Sequence, residues 1–483
     1  PMHSTPPTGR EPGAGDVTPT VTIQRLGVID SGETAVRVLN AVGGLNDAGD
    51  ATPITTVLFH DEPDPQPWYS READEVQPLC DGIEQRSIDD VVACLLAADI
   101  DTLWLGAWPD VERTDLIAAC AAAAIGVVGP DADTIGRLSD PARLPAVGDR
   151  AALLDGRPLR RVEVDILVDD HGTVWNLGGR DVSVRRSHHS LVAEAPCAAI
   201  SDELATAICT AASELARDVG YRGAGMVTFV HDRSDFAVTA VDCVAPPDHA
   251  TSEERSGASF IGWRLRVHRG EALPAHEPAA DGVAMEVRLL AEDPDDGFAV
   301  TPGHVALLSF PVGTGVRVDA NRRVGDPVDA TDSLLAVITA WGPDRSVALT
   351  RIRRALERTA VVIDGGTTNL SFLLALLDNE QFQRNEVDHR WLDGVIDDRP
   401  PPEPDPIVLL GAAVEAYEAD RRRIQDAFYA SAERGRPQQP DEVGTGIELG
   451  YLGESYRLDV DCIASRTYSV RAGRTAAHVT VDH

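Results

Sequence analysis

The stretch VDCVAPPDHATSEE, residues 241–254, places acids and a histidine close together in the chain. Carboxylates such as those of Asp242 and Asp248 are ligands that hard cations like Mg²⁺ prefer. His249 follows Asp248 directly, and an imidazole beside a carboxylate is suited to acid–base chemistry near neutral pH. The pattern predicts a strand that ends in a loop carrying a metal and phosphate site, or the remains of one.

Two other stretches admit both a chemical and a structural interpretation. Gly32 and Glu33 could lie at a helix N-terminus that binds a phosphate. A lone SGE is a weak motif, however, and a turn with a purely structural role is favoured.

In RRSHHS, residues 185–190, the arginines could bind an anion, and His188 and His189 could bind a metal. Adjacent strand residues point to opposite faces, and no Cys or His cluster accompanies them. Ion-paired arginines and surface histidines are therefore favoured.

The composition excludes several classes of function. The 483 residues carry a net charge of −35 and include no lysine, so all 43 basic residues are arginine. Nucleic acids and anionic membranes are bound by local excesses of basic residues, which disfavours both as partners. Without lysine the chain cannot form a Schiff base, hold phosphate through a P-loop lysine or carry biotin, although arginine can still clamp an anion.

The cysteines and the termini suggest a cellular compartment. The seven cysteines are scattered without a CxxC pair, and no apolar run approaches the roughly 20 residues of a membrane helix. The N-terminus lacks the basic and apolar regions of a signal peptide, and Pro1 before Met2 resembles a scar of tag removal. These features predict a cytoplasmic protein with reduced thiols.

Residues 21–140 alternate apolar strand patterns with helical ones, after a disordered tail expected over residues 1–20. The predicted buried parallel strands are VTIQRLGVI, ITTVLFH, TLWLGAW and AIGVVGP. The predicted helices between them are TAVRVLNAVGGL, SIDDVVACLLAA and TDLIAACAAAA. This order predicts a doubly wound α/β domain.

A polar connector, residues 141–160, leads to an α+β region over residues 161–395. VEVDILVDDHGTVWNLG and GMVTFVHDRSDFAVTAVD are typical of hairpins. Between them SDELATAICTAASELARDVG is an amphipathic helix that Ser201 or the next aspartate can cap. DGGTTN predicts turn chemistry, with Thr368 or Asn369 capping the helix that follows.

The last part of the chain predicts a helix and a small β region. DDRPPPEPDP is a stiff linker, and with the long helix after it forms residues 396–435. Residues 436–483 carry two hairpin signals punctuated by glycine. Because these strands are too few for a large core, they should pack on the preceding helix or on a partner.

Taken in order, several segments resemble biotin carboxylases. LGVIDSGETAVRVLNA is similar to that family's N-R-G-E-x-A-x-R turn, and AIGVVGPDADTIGRLSD, GYRGAGMVTF, GASFIGWRLRVHRGEAL and EVRLLAEDPDDGF resemble later segments. The resemblance covers residues 21–395, and the tail is similar to the carboxyltransferase-docking segment of actinobacterial acyl-CoA carboxylase α chains. It implies an ATP-grasp fold that clamps Mg-ATP, phosphorylates bicarbonate and passes carbon dioxide to biotin.

Positions that the family chemistry needs are changed in this chain. Thr228 stands at the first metal-binding glutamate, Asp242 at the second and Val244 at a nearby asparagine. The family's next arginine falls within residues 245–247, where the segment is shortened. Arg288 matches the family arginine that contacts bicarbonate and biotin.

The rest of the family pattern is kept only in part. Asp248 and His249 match a glutamate and a histidine, and Ser190 replaces a lysine, although His188 keeps its place. About twenty residues, 141–160, stand where the family inserts a lid domain with a glycine-rich loop. The resemblance therefore leaves five candidates in a remnant cleft: Asp242, Asp248, His249, Arg288 and His188. Asp248 and His249 could act as an acid–base pair near Arg288, but a loop that is polar only because the family loop is polar is favoured.

These departures favour a catalytically silent biotin carboxylase-like subunit of an acyl-CoA carboxylase-type complex, which scaffolds or regulates a carboxyltransferase partner. The family's cofactors are ATP, magnesium and biotin, and we expect none to bind because their binding groups are largely missing. The resemblance also implies a homo-oligomer. Two alternatives stay open: an enzyme of altered chemistry in the remnant cleft, by decarboxylation or acyl or carboxyl transfer, and a module that senses a nucleotide or acyl-CoA.

Overall fold

The structure is a computed structural model that describes residues 22–49, 52–61, 67–79, 87–106, 108, 110–139, 158–186, 189–198, 200–232, 234–243, 249–398, 405–433, 435, 443–451 and 454–481. The chain divides into two compact units, Pro1–Asp397 and Asp398–His483, and each is described by itself. The expected tail, most of the connector, His188 and Asp248 lie outside the described residues.

Strands and helices alternate in the N-terminal part of unit one. They are β1 (Arg25–Ile29), α1 (Gly32–Ala48), β2 (Thr55–Asp61), β3 (Glu75–Leu79), α2 (Ile88–Ala97), β4 (Thr102–Leu105), α3 (Asp110–Ala122), β5 (Gly126–Val127) and α4 (Ala132–Leu138). The strands form a parallel sheet in the order β3-β2-β1-β4-β5. α1 packs on one face and α2 with α3 on the other, so the predicted doubly wound arrangement is confirmed.

The remainder of unit one is an α+β arrangement. Its strands are β6 (Arg160–Val168), β7 (Val174–Arg186), β8 (His189–Ala195), β9 (Gly223–His231), β10 (Phe236–Asp242), β11 (Val283–Leu290), β12 (Glu292–Asp293), β13 (Ala299–Val300), β14 (Gly303–Ser309), β15 (Val316–Ala320), β16 (Pro327–Val328), β17 (Leu334–Gly342) and β18 (Ala360–Asp364). Its helices are α5 (Asp202–Asp218), α6 (Ala250–Ser256), α7 (Phe260–His268), α8 (Arg345–Arg358), α9 (Leu370–Asp378), α10 (Glu380–Gln383) and α11 (Trp391–Asp397). An eight-stranded antiparallel sheet runs β10-β9-β6-β7-β8-β11-β17-β15, beside two smaller sheets, β12-β13 and β16-β14-β18.

Strand β6 separates an apolar face of the large sheet from a charged one. Val162, Val164 and Ile166 join the hydrophobic core that includes helix α5. Because successive side chains of a strand point to opposite faces, Glu163 and Asp165 lie on the other side of the sheet. Both acids are nonetheless buried. Their face carries the charged cluster described below.

Unit two is built from one long helix and a small sheet. The helix is α12 (Pro406–Glu433), and β19 (Ile447–Tyr451), β20 (Glu454–Ala464), β21 (Thr467–Ala472) and β22 (Thr475–Thr480) form an antiparallel sheet in chain order. Val414 and Tyr417 of the helix pack with Leu458 and Tyr468 of the sheet. Tyr468 Oη also donates to Glu418 Oε1 at 2.8 Å. The prediction that the tail packs on its preceding helix is confirmed.

Two structural findings concern the expected compartment. No helix within the described part of the chain is long and apolar enough to cross a membrane. Cys94 is disulfide-bonded, so the expectation of reduced thiols is wrong at this residue. Spacing along the chain does not show which thiols meet in the fold, and the scattered pattern therefore gave no signal.

Candidate functional site

A row of polar side chains crosses the large sheet at β9, β6 and β7. The strand register places Glu163 of β6 beside Arg180 of β7 and Thr228 of β9. Arg180 Nη2 lies 2.9 Å from Glu163 Oε2, and Arg185 Nη1 lies 3.4 Å from Glu163 Oε1. Because the Glu163 and Arg180 side chains are almost fully enclosed, their attraction is less screened than that of a surface pair.

Arg185 lies in a local excess of positive charge. Burial lowers the pKa of Arg185, and the nearby charges of Arg161, Arg288 and Arg180 lower it further, whereas Glu163 acts in the opposite direction. Guanidinium groups bind planar oxyanions through paired hydrogen bonds. The cluster can therefore attract a small anion, although Arg185 and Arg180 already contact Glu163.

A buried asparagine holds the backbone that carries Arg288. Asn369 Oδ1 accepts a hydrogen bond from Leu290 N at 2.9 Å, and Asn369 Nδ2 donates to Arg288 O at 3.0 Å. Asn369 stands at the N-cap position of α9 as predicted, but its side chain makes no capping hydrogen bond. Leu370 N donates instead to Thr368 Oγ1 at 3.4 Å. The asparagine thus connects α9 to β11.

His249 is enclosed in the structure. Its residue has no exposed surface, and its ring centroid lies 4.1 Å from that of Phe260. Nδ1 is 3.0 Å from Asp165 Oδ1, an electrostatic contact rather than a well-aligned hydrogen bond. Ser252 Oγ donates to Asp165 Oδ2 at 3.2 Å and not to His249, so these three residues lack the nucleophile–base contact of a catalytic triad. The placement favours a structural role for His249.

Asp165 is charged despite being buried. Burial alone would raise the pKa of Asp165, but the adjacent His249 ring, the charge of Arg180 and the hydrogen bond from Ser252 outweigh it, and the pKa is lowered. The carboxylate therefore stays ionised at neutral pH and depends on these partners for its stability.

The two positions that match the family's metal ligands do not form a pair of carboxylates. Thr228 is buried in β9, while Asp242 ends β10, where its register partner is Met226. Magnesium is held by carboxylates together with substrate phosphates. Within the described residues there is no group of three or more His, Cys, Asp or Glu side chains that could hold a metal ion. These residues do not fit a magnesium site of the family's kind.

Three cavities of unit one have volumes of about 530, 1080 and 360 Å³. The first lies between β7 and α5, the second is bordered by α1, α6 and β15, and the third lies between α4 and α7. Asp242, His249 and Arg288 line none of these three cavities. The structure therefore does not gather these candidates around one of them, while Asp248 and His188 lie outside the described residues.

Sequence reasoning did not single out Glu163, Asp165 or Arg180. The signal was present, because VEVDIL carries acids at alternate positions of an otherwise apolar strand. Buried acids are rare unless they are paired, so this alternation indicates a charged sheet face with basic partners on neighbouring strands.

Family comparisons agree with this architecture. The family model for the biotin carboxylase N-terminal domain matches residues 22–135, and that for the biotin carboxylase C-terminal domain matches residues 286–394. The model for the carbamoyl-phosphate synthase L chain, ATP binding domain, matches residues 147–276. The chain thus carries both biotin carboxylase domain matches with an ATP-binding domain match between them, and it is biotin carboxylase-like.

Curated relatives are similar over part of their length. A biotin carboxylase of Nostoc sp. is 33% identical over 232 residues, 47% of this chain and 52% of the relative. The alpha chain of the mitochondrial methylcrotonoyl-CoA carboxylase of Rattus norvegicus is 34% identical over 233 residues, 47% of this chain and 32% of the relative. The chain spans about half the length of the first curated relatives it matches.

Solved structures show the same fold. The multifunctional pyruvate carboxylase of Rhizobium etli has a TM-score of 0.73 at 26% identity, covering 82% of this chain and 38% of that chain. The biotin carboxylase domain of Hydrogenobacter thermophilus 2-oxoglutarate carboxylase has a TM-score of 0.69 at 22% identity, covering 78% of this chain and 99% of that chain. The second likeness concerns the fold alone.

Proposed function

We propose that this chain is a biotin carboxylase-like subunit that does not itself carry out ATP-dependent carboxylation of biotin. It scaffolds or regulates a carboxyltransferase-type partner in an acyl-CoA carboxylase-type complex. The observation that carries the proposal is Thr228, which is buried in β9 where the resemblance expects a metal-binding glutamate. A hydroxyl lacks the negative charge that a carboxylate offers to magnesium, and phosphoryl transfer depends on that metal.

Features of the sequence support the same proposal. The connector over residues 141–160 is far shorter than the family's lid domain, and the chain offers no lysine to clamp a phosphate. Phosphoryl transfer needs both cationic stabilisation and exclusion of water. The enclosure of His249 also weakens the alternative of altered acid–base chemistry, because a general base must reach the proton that it removes.

Unit two supports a partner-binding role. Helix α12 leaves Phe428 and Tyr429 exposed near its C-terminal end, with ring centroids 6.0 Å apart. Aromatic residues are enriched at protein interfaces, where they act as anchors. Similar proteins are named as parts of larger carboxylases, including one chain of the pyruvate carboxylase of Methanothermobacter thermautotrophicus. A partner that covers the aromatic pair fits these features.

The purified chain should release no ADP from Mg-ATP when bicarbonate and free biotin are supplied. The physical reason is the missing metal carboxylate at Thr228. A coupled assay of ADP measures the rate, and a similar biotin carboxylase, that of Haemophilus influenzae, serves as the active control. Steady ADP release that bicarbonate stimulates would show that the proposal is wrong.

A carboxyltransferase or acyl-CoA enzyme should co-purify with the chain from its native cells. Changing Phe428 and Tyr429 together to serine should lower recovery of this partner about tenfold or more, because buried aromatic anchors carry much of an interface's binding free energy. Val312→Ser, at an exposed apolar position of unit one, is the matched control and should leave recovery unchanged. Unchanged recovery with the double variant, or the absence of any such enzyme, would argue against the partner role.

A further inference from the structure

A cavity of about 360 Å³ lies where the carboxyl end of β5 meets helix α7. Gly129 and Pro130, just after β5, line it together with Arg264 and His268 of α7. The cavity lies beside the edge strand of the N-terminal sheet, and none of its lining residues belongs to the charged cluster of Glu163, Asp165, Arg180 and Arg185.

Arg264 is a buried cation that lines this cavity. The residue is 7% exposed, and its guanidinium carbon lies 4.2 Å from the centroid of the Trp104 ring. Neither Nε nor Nη1 makes a hydrogen bond to any residue that the structure describes. Burial lowers the pKa of Arg264 to about 10, although Tyr221, Asp30 and Asp242 act in the opposite direction. Buried donors without acceptors are costly, so an acceptor beside Nε and Nη1 would stabilise the protein.

Asp30 attracts Arg264 electrostatically, but its carboxylate oxygens already accept hydrogen bonds from other donors. Its carboxylate accepts hydrogen bonds from Ser31 N, Thr34 Oγ1 and Trp104 Nε1. The contact between Arg264 and the Trp104 ring supplies a cation–π attraction but no oxygen acceptor. Among the described residues none of these contacts gives Arg264 Nε or Nη1 an oxygen acceptor, and an occupant of the cavity can supply one.

Two of the three arginines that line the cavity already have acidic partners. Arg222 Nη1 lies 2.7 Å from Asp170 Oδ1, and Arg137 Nε lies 3.1 Å from Asp133 Oδ2. Arg264 differs from them because two of its buried nitrogens lack a hydrogen bond to a described residue. An anionic occupant that accepts from Arg264 therefore fits the lining of the cavity.

His268 supplies a second polar atom at the cavity. Burial lowers the pKa of His268, so its ring is neutral near pH 7. Nε2 of this ring is buried and makes no hydrogen bond to a described residue. A neutral imidazole can donate one hydrogen bond to an anion without adding charge.

We propose that this cavity binds a small oxyanion whose oxygens accept hydrogen bonds from Arg264 and His268. Carboxylates and phosphates both present a pair of oxygens that a guanidinium group can bind through two hydrogen bonds. This site does not depend on the proposed partner role or on the lack of ATP chemistry.

The test measures thermal unfolding of the full-length chain in acetate and in phosphate, with chloride at the same ionic strength as reference. A bound anion should raise the midpoint by mass action, and Arg264→Met should remove that shift. Each variant is compared with its own midpoint in chloride, because Arg264→Met also removes the attraction between Arg264 and the buried Asp30. Arg353→Gln, which removes a surface arginine paired with Asp378, is the matched control and should keep the full shift.

A higher unfolding midpoint in acetate would identify a carboxylate site, and a higher midpoint in phosphate would identify a phosphate site. Either result supports the proposal if Arg264→Met abolishes the increase. The proposal is wrong if neither anion exceeds chloride, or if the shift survives in Arg264→Met. Should Arg264→Met fail to fold, His268→Phe decides the question, because it removes the second proposed donor and keeps an aromatic ring in the same place. A full shift in His268→Phe would then overturn the proposal.

Discussion

Replacing Glu253 by glutamine should lower the free energy of unfolding of unit one by about 3–5 kcal/mol. Glu253 Oε2 lies 3.0 Å from Arg37 Nη2 and 2.9 Å from Arg317 Nη1, and Glu253 Oε1 accepts a hydrogen bond from Phe260 N. Burial alone would raise the pKa of Glu253, but the charges of Arg37 and Arg317 outweigh it, and the pKa is lowered. Glutamine keeps the shape and removes the charge, so two arginines would face each other without their shared carboxylate.

The Glu253 network matters because it joins three parts of unit one. Arg37 belongs to α1, Glu253 to α6 and Arg317 to β15. Denaturant unfolding followed by circular dichroism measures the loss. Glu271→Gln is the matched control, because Glu271 pairs with Arg266 at 3.2 Å near the surface and should cost about 1 kcal/mol or less. Equal losses in the two variants would show that the buried network is no stronger than a surface pair.

Elements with a local signal could be predicted from the sequence. Ser201 was expected to cap a helix, and its side chain accepts a hydrogen bond from Leu204 N at the start of α5. β3, with the sequence EVQPL, was not assigned as a strand because it is polar and contains Pro78. Proline is tolerated at sheet edges, and β3 is an edge strand. Hydrophobic periodicity thus predicts buried strands better than exposed ones.

The candidate site was less predictable because its contacts join residues far apart in the chain. Ser252 Oγ and Asp165 Oδ2 are hydrogen-bonded across 87 positions, and Glu33 N donates to Asn321 Oδ1 across 288 positions. Asn321 also explains the SGE turn: Gly32 has φ of +58°, and a Cβ there would lie 1.7 Å from Asn321 Oδ1. The structure therefore fits a structural role for the SGE turn, which the sequence pattern favours over phosphate binding. Local patterns identify polar residues, but only the fold shows which of them meet.

Replacing His249 by alanine should lower the free energy of unfolding of unit one by about 3–5 kcal/mol rather than remove a catalytic step. The ring fills space beside Phe260, and it contacts Asp165 at 3.0 Å. Without it, the buried carboxylate loses one of the contacts that offset its burial, while the hydrogen bond from Ser252 and the charge of Arg180 remain. Leaving a buried charge underpaired is among the most destabilising effects of a single substitution.

The pH dependence separates this structural role from a catalytic one. The folded-state pKa of Asp165 lies below its unfolded-state pKa of about 3.9. The stabilisation from the ionised carboxylate is therefore complete above the unfolded-state pKa. It disappears as the pH falls through the folded-state pKa. The loss in His249→Ala should therefore be largest near neutral pH and shrink below about pH 4. Urea unfolding across this pH range measures it, with His478→Ala as an exposed control. Wild-type stability at every pH, together with a loss of turnover in the complex, would instead give His249 an acid–base role.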